Sequence, residues 1–345
     1  MKKLFIILNC IFIFNTRFLF SQTSSSSYQI LNRISVPGDG GWDYLVADGE
    51  MSRLFVSHST MVQVIDLKER KIIGTIPDTK GVHGIALAKD LNKGFVSNGK
   101  DSSVTVFNLQ TLDFLEKVYV TGRNPDAILY DSFSHRIFTF NGGGKNSTVI
   151  DAKTDKVLGT IDLNGKPEFS VSDGKGKIYV NIEDKSVVKE INPITLKVEH
   201  EWNLSPGEGP SGLAMDIENQ ILFVVCDNKL MVILDAVTGK KIVTLPIGER
   251  VDGVAFDPVL KRAYSSNGDG TLTVVQEKDN KTFKVLENVT TQKSARTIAI
   301  DKSTHHLFLP AAEYGPPPEP TNENPHPRPS IKPGTFVVLE IGLLN

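Results

Sequence analysis

The sequence predicts an all-β fold of seven four-stranded antiparallel sheets closed into a ring. Three observations predict it. A short motif with one polar residue at its centre returns every 40–44 residues. Each return opens a set of short apolar strands separated by turn residues. The strand missing from the last set stands at the beginning of the chain. The 345 residues, 40% of them hydrophobic, suit one domain near the upper size of a single core. With 28 Gly and 18 Pro, the composition suits frequent turns.

The motif reads Trp42-Asp43-Tyr44, Val82-His83-Gly84, Pro125-Asp126-Ala127, Pro167-Glu168-Phe169, Pro210-Ser211-Gly212, Val251-Asp252-Gly253 and Ala295-Arg296-Thr297. The steps between its central residues are 40, 43, 42, 43, 41 and 44, the period of a propeller blade. Strand a is this motif with the apolar residues after it, such as Ile85-Ala86-Leu87. Strand b is aromatic and small, as in Leu54-Phe55-Val56-Ser57 and Gly94-Phe95-Val96-Ser97. Strand c is β-branched, as in Val104-Thr105-Val106-Phe107, and suits a buried pleated surface. Strand d includes Ile72-Ile73-Gly74-Thr75-Ile76 and Val157-Leu158-Gly159-Thr160-Ile161.

Strand c ends in Asp66, Asn108, Asp151, Asn192 or Asp235, residues whose side chains accept hydrogen bonds from the backbone ahead of them in a turn. These acids and amides are read as structural. The seventh copy has no strand d after Phe336-Val337-Val338-Leu339. Gln29-Ile30-Leu31-Asn32-Arg33-Ile34 resembles the d strands and is expected to pair there, closing the ring and covering two sheet edges.

Leu54-Phe55-Val56-Ser57-His58, Phe95-Val96-Ser97-Asn98 and Ile178-Tyr179-Val180-Asn181, each followed by a β-branched strand and Asp or Asn, resemble the YVTN β-propeller repeat. The chain resembles the YncE-like secreted bacterial propellers over residues 28–343. The resemblance implies a seven-bladed propeller but no single reaction. Lys2 and Lys3 before a short apolar run fit a signal peptide over residues 1–21. Residues 22–27 then form a linker, and the protein is exported to the periplasm or the extracellular space. The net charge of −2 offers no basic excess for nucleic acid, and membrane insertion after leader cleavage is not expected. Cys226 is the sole thiol left after cleavage, so no intrachain disulfide forms. It is expected to be a small packed residue rather than a nucleophile.

Antiparallel pairing puts the start of strand a and the end of strand b on one face, around the channel mouth. The ligand-binding candidates on that rim are Asp43, His83, Asp126, Glu168, Asp252 and Arg296 from strand a, and Asn98, Asn141, Asn181, Asn267 and Glu313 from the ends of strand b. Carboxylates and amides give directional polar contacts, and Arg296 suits a carboxylate. Trp42 and Tyr44 offer stacking surface. His58, His83, Asp126 and Glu168 could instead hold a divalent metal ion as cofactor. The expected function is a binding scaffold for a small molecule or protein. The alternative is a metal-dependent hydrolase or lactonase-like enzyme at the same mouth, with Glu168 or His83 as general base. His135, His305 and His306 fall in turns of the opposite face and are expected to be exposed.

The repeat is interrupted once. The seventh strand c ends at Glu340, 64 residues after Gln276, so about 22 extra residues have entered between strands b and c. The inserted stretch, residues 315–334, is rich in proline, which precludes helix and central strand. It is expected to fold over the channel mouth, bringing His326 or Arg328 towards the acidic rim.

Overall fold

The computed structural model describes residues 27–321, 325 and 327–344. The leader, all but one residue of the linker, and His326 lie outside the described residues. Seven four-stranded antiparallel sheets form the ring. Their innermost strands are Trp42–Asp48, Val82–Ala88, Pro125–Asp131, Pro167–Ser172, Pro210–Asp216, Val251–Asp257 and Ala299–Asp301, in blades one to seven. Among the described residues, helical structure is confined to two single turns, Lys89–Leu91 and Glu183–Lys185. No described helix is long and apolar enough to cross a membrane.

Strands b and c are buried on both faces because each blade is covered by its two neighbours. Val56, Val96, Val106 and Val224 are inaccessible to solvent. The core is laid between blades: Phe55 of blade one meets Phe107 of blade two at 5.9 Å, and Phe223 of blade five stacks on Phe256 of blade six at 5.0 Å. Strand d is outermost, and its alternating exposure, as over Lys71–Ile76, follows from having one covered face.

The seventh blade closes as the sequence predicts. Its order from the outside inwards is Tyr28–Ser35, Val337–Leu343, His306–Ala311, Ala299–Asp301. Tyr28 is buried, and its hydroxyl meets that of Tyr264 at 2.8 Å and accepts from Arg262 Nη1 at 2.8 Å, tying the closing strand to blade six. Glu340 accepts from Asn32 Nδ2 at 2.7 Å and Arg70 Nε at 2.7 Å, and meets His306 Nδ1 at 2.8 Å. One carboxylate thus joins the closing strand, blade one and blade seven. Burial would raise its pKa, but these hydrogen bonds outweigh burial and lower it.

The turn residues act as the sequence predicts. Asp66 accepts from the backbone N–H of Lys68 and Glu69, both at 2.8 Å; Asn108, Asp151, Asn192 and Asp235 repeat the arrangement. A second ring of acids was not foreseen. Asp48, Asp131, Asp216 and Asp257 end strand a on the opposite face and are buried. Each is held by the next blade: Lys89 Nζ reaches Asp48 at 2.6 Å, Ser172 Oγ reaches Asp131 at 2.5 Å, and Lys261 Nζ reaches Asp216 at 3.1 Å. His305 Nδ1 lies 2.7 Å from Asp257. His305 and His306 are therefore partly buried residues set against Asp257 and Glu340, not the free surface groups that their turn position suggested; His135 is exposed, near Asp90.

Candidate functional site

The polar residue at the centre of each motif sits on a backbone irregularity. In blades one to six, strand a carries one more residue near its start than the strand b it pairs with. Trp42 pairs with His58 but Leu45 with Val56; Val82 pairs with Asn98 but Ile85 with Val96. The same shift follows Pro125, Pro167, Pro210 and Val251. Asp43, His83, Asp126, Glu168, Ser211 and Asp252 all lie within these bulges. A bulge breaks the ladder and re-aims a side chain, here at the channel mouth.

The freed backbone groups find partners on strand b. The Asp43 N–H donates to Ser57 Oγ at 2.9 Å, and the Gly84 N–H to Ser97 Oγ at 2.8 Å. That is the physical use of serine in the Val-Ser pairs of the repeat. The glycines after His83 and Ser211 have a separate cause. A Cβ on Gly84 would lie 3.0 Å from the Asp126 carbonyl oxygen, and one on Gly212 would lie 2.8 Å from the Val254 nitrogen. Inner strands of neighbouring blades approach too closely there for a side chain.

Asp43, Asp126, Glu168, Ser211 and Asp252 of the bulges line a cavity of about 560 Å³ at the axis, with Tyr44, Lys166, Glu183, Asp227, Arg250, Arg296 and Arg328 among its walls. His83 Nδ1 lies 2.6 Å from Asp43 Oδ2 and 3.7 Å from Asp126 Oδ1. Lys166 Nζ lies 2.8 Å from Glu168 and also binds Glu183. Arg296 pairs with Asp252. Three carboxyls titrate abnormally high. Burial, then the Asp126 charge, push Glu168 up to about 9 despite Lys166. Burial and the Asp43 charge push Asp126 up to about 7, with His83 acting the other way. Burial pushes Asp252 up to about 6, with Arg296 restraining the rise. His83 is itself raised: burial disfavours its charge, but the Asp43 hydrogen bond and the Asp126 field outweigh burial. Burial, with four surrounding acids, lifts the Tyr44 phenol well above its usual range.

The structure brings Asp43, His83, Asp126, Glu168, Asp252 and Arg296 to this mouth. The strand b residues are placed elsewhere. Asn98 is fully buried and donates through Nδ2 to Ser103 Oγ at 3.0 Å and Thr105 Oγ1 at 2.9 Å. Asn141 binds Asn146 and Thr148 in the same way, and Asn267 binds Thr271 and Thr273. Asn181 is one position off this register. Ile182 pairs with Pro167, so Asn181 takes the place of Ser97 and donates to the Ser211 and Gly212 carbonyls of the next blade. These four amides tie backbone and strand c together rather than line the cavity.

His58 takes the Asn98 position in blade one. Its Nδ1 lies 2.7 Å from Gln63 Oε1, and its ring packs on Phe336 at 4.5 Å. It stands apart from the cluster that, among the described residues, could hold a metal: Asp43, His83 and Asp126, with ligand atoms all within 4.8 Å of one another. Glu168, paired with Lys166, is outside that cluster. Asp43, one of the rim carboxylates the sequence placed at the mouth, belongs to it. Trp42 is buried and stacks on Phe336 at 5.2 Å, so only Tyr44 faces the cavity. Cys226 is buried and its thiol pushed up to about 12 by burial, which keeps it inert. Glu313 is exposed, 3.0 Å from Lys332. Lys166, Arg250 and Glu183 escaped the sequence reading. Lys166 and Arg250 each stand two residues before a motif centre, a spacing that could have exposed them.

Arg328 of the insertion reaches the mouth and lines the cavity with Asp43 and Asp252. The feet of the insertion are pinned: Tyr314 bridges to Ile331, and the Gly315 N–H donates to the Ser330 carbonyl at 2.8 Å.

These features define a seven-bladed β-propeller whose channel mouth is lined by ionisable side chains from most of its blades. Structures of the same fold include a chain of Kuenenia stuttgartiensis hydrazine synthase, with a TM-score of 0.70 and 15% identity, over 79% of this chain and 94% of that one. A chain of the mitotic checkpoint complex matches with a TM-score of 0.72 and 12% identity, over 90% of this chain and 94% of that one. At such identities the likeness is one of fold. No protein-family model and no curated protein matches the sequence.

Proposed function

We propose that this chain is an exported, YncE-like propeller of the YVTN-repeat kind that binds a ligand through a cationic group at its channel mouth. The observation that carries the reading is the cavity where Asp43, Asp126, Glu168 and Asp252 converge, three of them with raised pKa values. A raised carboxyl pKa means that ionisation is resisted by burial and by neighbouring acids. A cation entering the cavity relieves that repulsion and is favoured for it. Titration calorimetry with an alkyl diamine tests the reading. Binding that weakens at least about tenfold in Asp43→Asn supports it. Absence of binding by diamines and monoamines alike rejects it.

A second reading rests on the Asp43–His83–Asp126 cluster. A divalent ion there would be held by two carboxylates and one imidazole, a ligand set suited to Mn²⁺ or Zn²⁺. Such an ion supplies a polarised water for hydrolysis, the metal-dependent hydrolase alternative. Elemental analysis of protein purified without chelator separates the readings. Stoichiometric metal that disappears in Asp126→Asn favours the second. Diamine binding indifferent to chelator favours the first.

A further inference from the structure

We propose that a second cavity, between blades six and seven and the insertion, is a binding site for an organic anion carrying two or more acidic groups. The cavity measures about 1010 Å³. Arg33, Arg250, Lys293, Arg296, Arg328 and Lys332 line it, against Glu313 as the one acidic lining residue among those described. Glu313 serves Lys332 and Asp252 serves Arg296. The other four have no carboxylate partner among the described residues. Arg33 Nη1 donates to the neutral Gln292 Oε1 at 2.6 Å, and Arg250 Nη2 to the Gly268 carbonyl at 3.3 Å. Composition does not explain this concentration, because the chain as a whole carries −2. Cations gathered around one concavity repel each other, and an anion seated among them removes the repulsion.

The backbone gives a second indication. Arg250 has φ of 54°, in the left-handed region. The position two residues before the motif centre is Gly81, Asn124 and Gly209 in blades two, three and five, also at positive φ. Glycine and asparagine adopt that conformation readily, and arginine does not. Blade six thus carries a long cation at a place where the fold favours a small residue.

The walls identify the ligand class. Guanidinium forks match the paired oxygens of carboxylates and phosphates. Tyr314, held 6.3 Å from the Trp42 ring, and Pro329 give an apolar wall for a carbon body. The volume suits a ligand well above the size of a simple ion. The insertion supplies Arg328, Pro329 and Lys332, so the interruption of blade seven completes the site. The inference stands without the cation reading of the channel mouth. Arg250, Arg296 and Arg328 line both cavities, so any coupling between the two sites is reciprocal.

Calorimetric titration of the whole chain with citrate and with pyrophosphate tests the proposal. The expected result is binding of at least one anion with Kd below about 1 mM. Preference for citrate identifies a carboxylate ligand, and preference for pyrophosphate a phosphate. Arg33→Gln with Lys293→Gln, two residues that line this cavity and not the acidic one, should weaken binding at least about tenfold with an unchanged thermal transition. If that pair fails to fold, Arg328→Gln on the insertion is read in the same way. Glu168→Gln should keep anion binding, whatever it does to a diamine. Failure of both anions to bind at that level, or equal binding by native and variant chains, overturns the proposal.

Discussion

Glu168 keeps its proton into alkaline solution because it is buried beside Asp126, and Lys166 is shared with Glu183. The linkage has a definite sign. Between the ordinary carboxylate range and about 9, the native state holds a proton at Glu168 that the unfolded chain releases. Stability is then fully present below that range and falls as pH rises through it. Asp126 adds to the decline up to about 7 and Asp252 up to about 6. Glu168→Gln keeps the shape and removes the ionisation, so its melting temperature should exceed that of the native chain at alkaline pH, by about 2 °C or more. The two curves should converge at acid pH. Parallel curves in a pH series of thermal scans would show that Glu168 carries no such linkage. Asn98 provides the contrast. Its amide is buried on Ser103 and Thr105, so Asn98→Ala should cost about 1–3 kcal/mol in urea unfolding and leave channel-mouth binding unchanged.

At the scale of elements, the bulged start of strand a converts a fold motif into a site. Each bulge releases one side chain from the ladder, and the serine on strand b takes the backbone group that is set free. The insertion is the other element with consequences. Its feet form a short ladder, and Phe336 beyond it packs between Trp42 and His58. Replacing residues 316–330 by a short Gly-Ser turn spares both contacts, so the propeller should fold. The loss of Arg328 from the mouth should at the same time speed ligand exchange, measured as a dissociation rate by stopped flow. An unchanged rate would show that the insertion does not cover the mouth.

The whole molecule depends on one junction. Tyr28–Ser35 and Val337–Leu343 come from opposite ends of the chain and close the ring by pairing. Deleting residues 28–36 removes that pairing, the buried Tyr28 hydroxyl on Tyr264, and the Asn32 partner of Glu340. It also leaves an open edge on blade seven. The expected outcome is loss of the single cooperative unfolding transition, with higher oligomers on size-exclusion chromatography. A monomer melting as the native chain does would show that the ring holds without its clasp.

The sequence by itself determined the blades, their number, the closing strand and the place of the insertion. Each follows from periodic patterning, in which seven repeats state the same register and correct one another. It also marked the motif centres, because a polar residue recurring at one point of an apolar strand is visible in one dimension. Side-chain direction was not visible there. Asn98 and Asp126 both end up near one face, yet the bulge turns Asp126 into the channel while the regular ladder keeps Asn98 against strand c. Asn181 looked like Asn98 until pairing placed it one residue earlier. His58 looked like a ligand beside His83 until packing put it under Phe336. Lys166, Arg250 and Arg328 met the acids only through the tertiary structure. Pairing register and the closing of the ring set which polar groups share a cavity. These depend on contacts between residues tens to hundreds of positions apart, which local pattern does not encode.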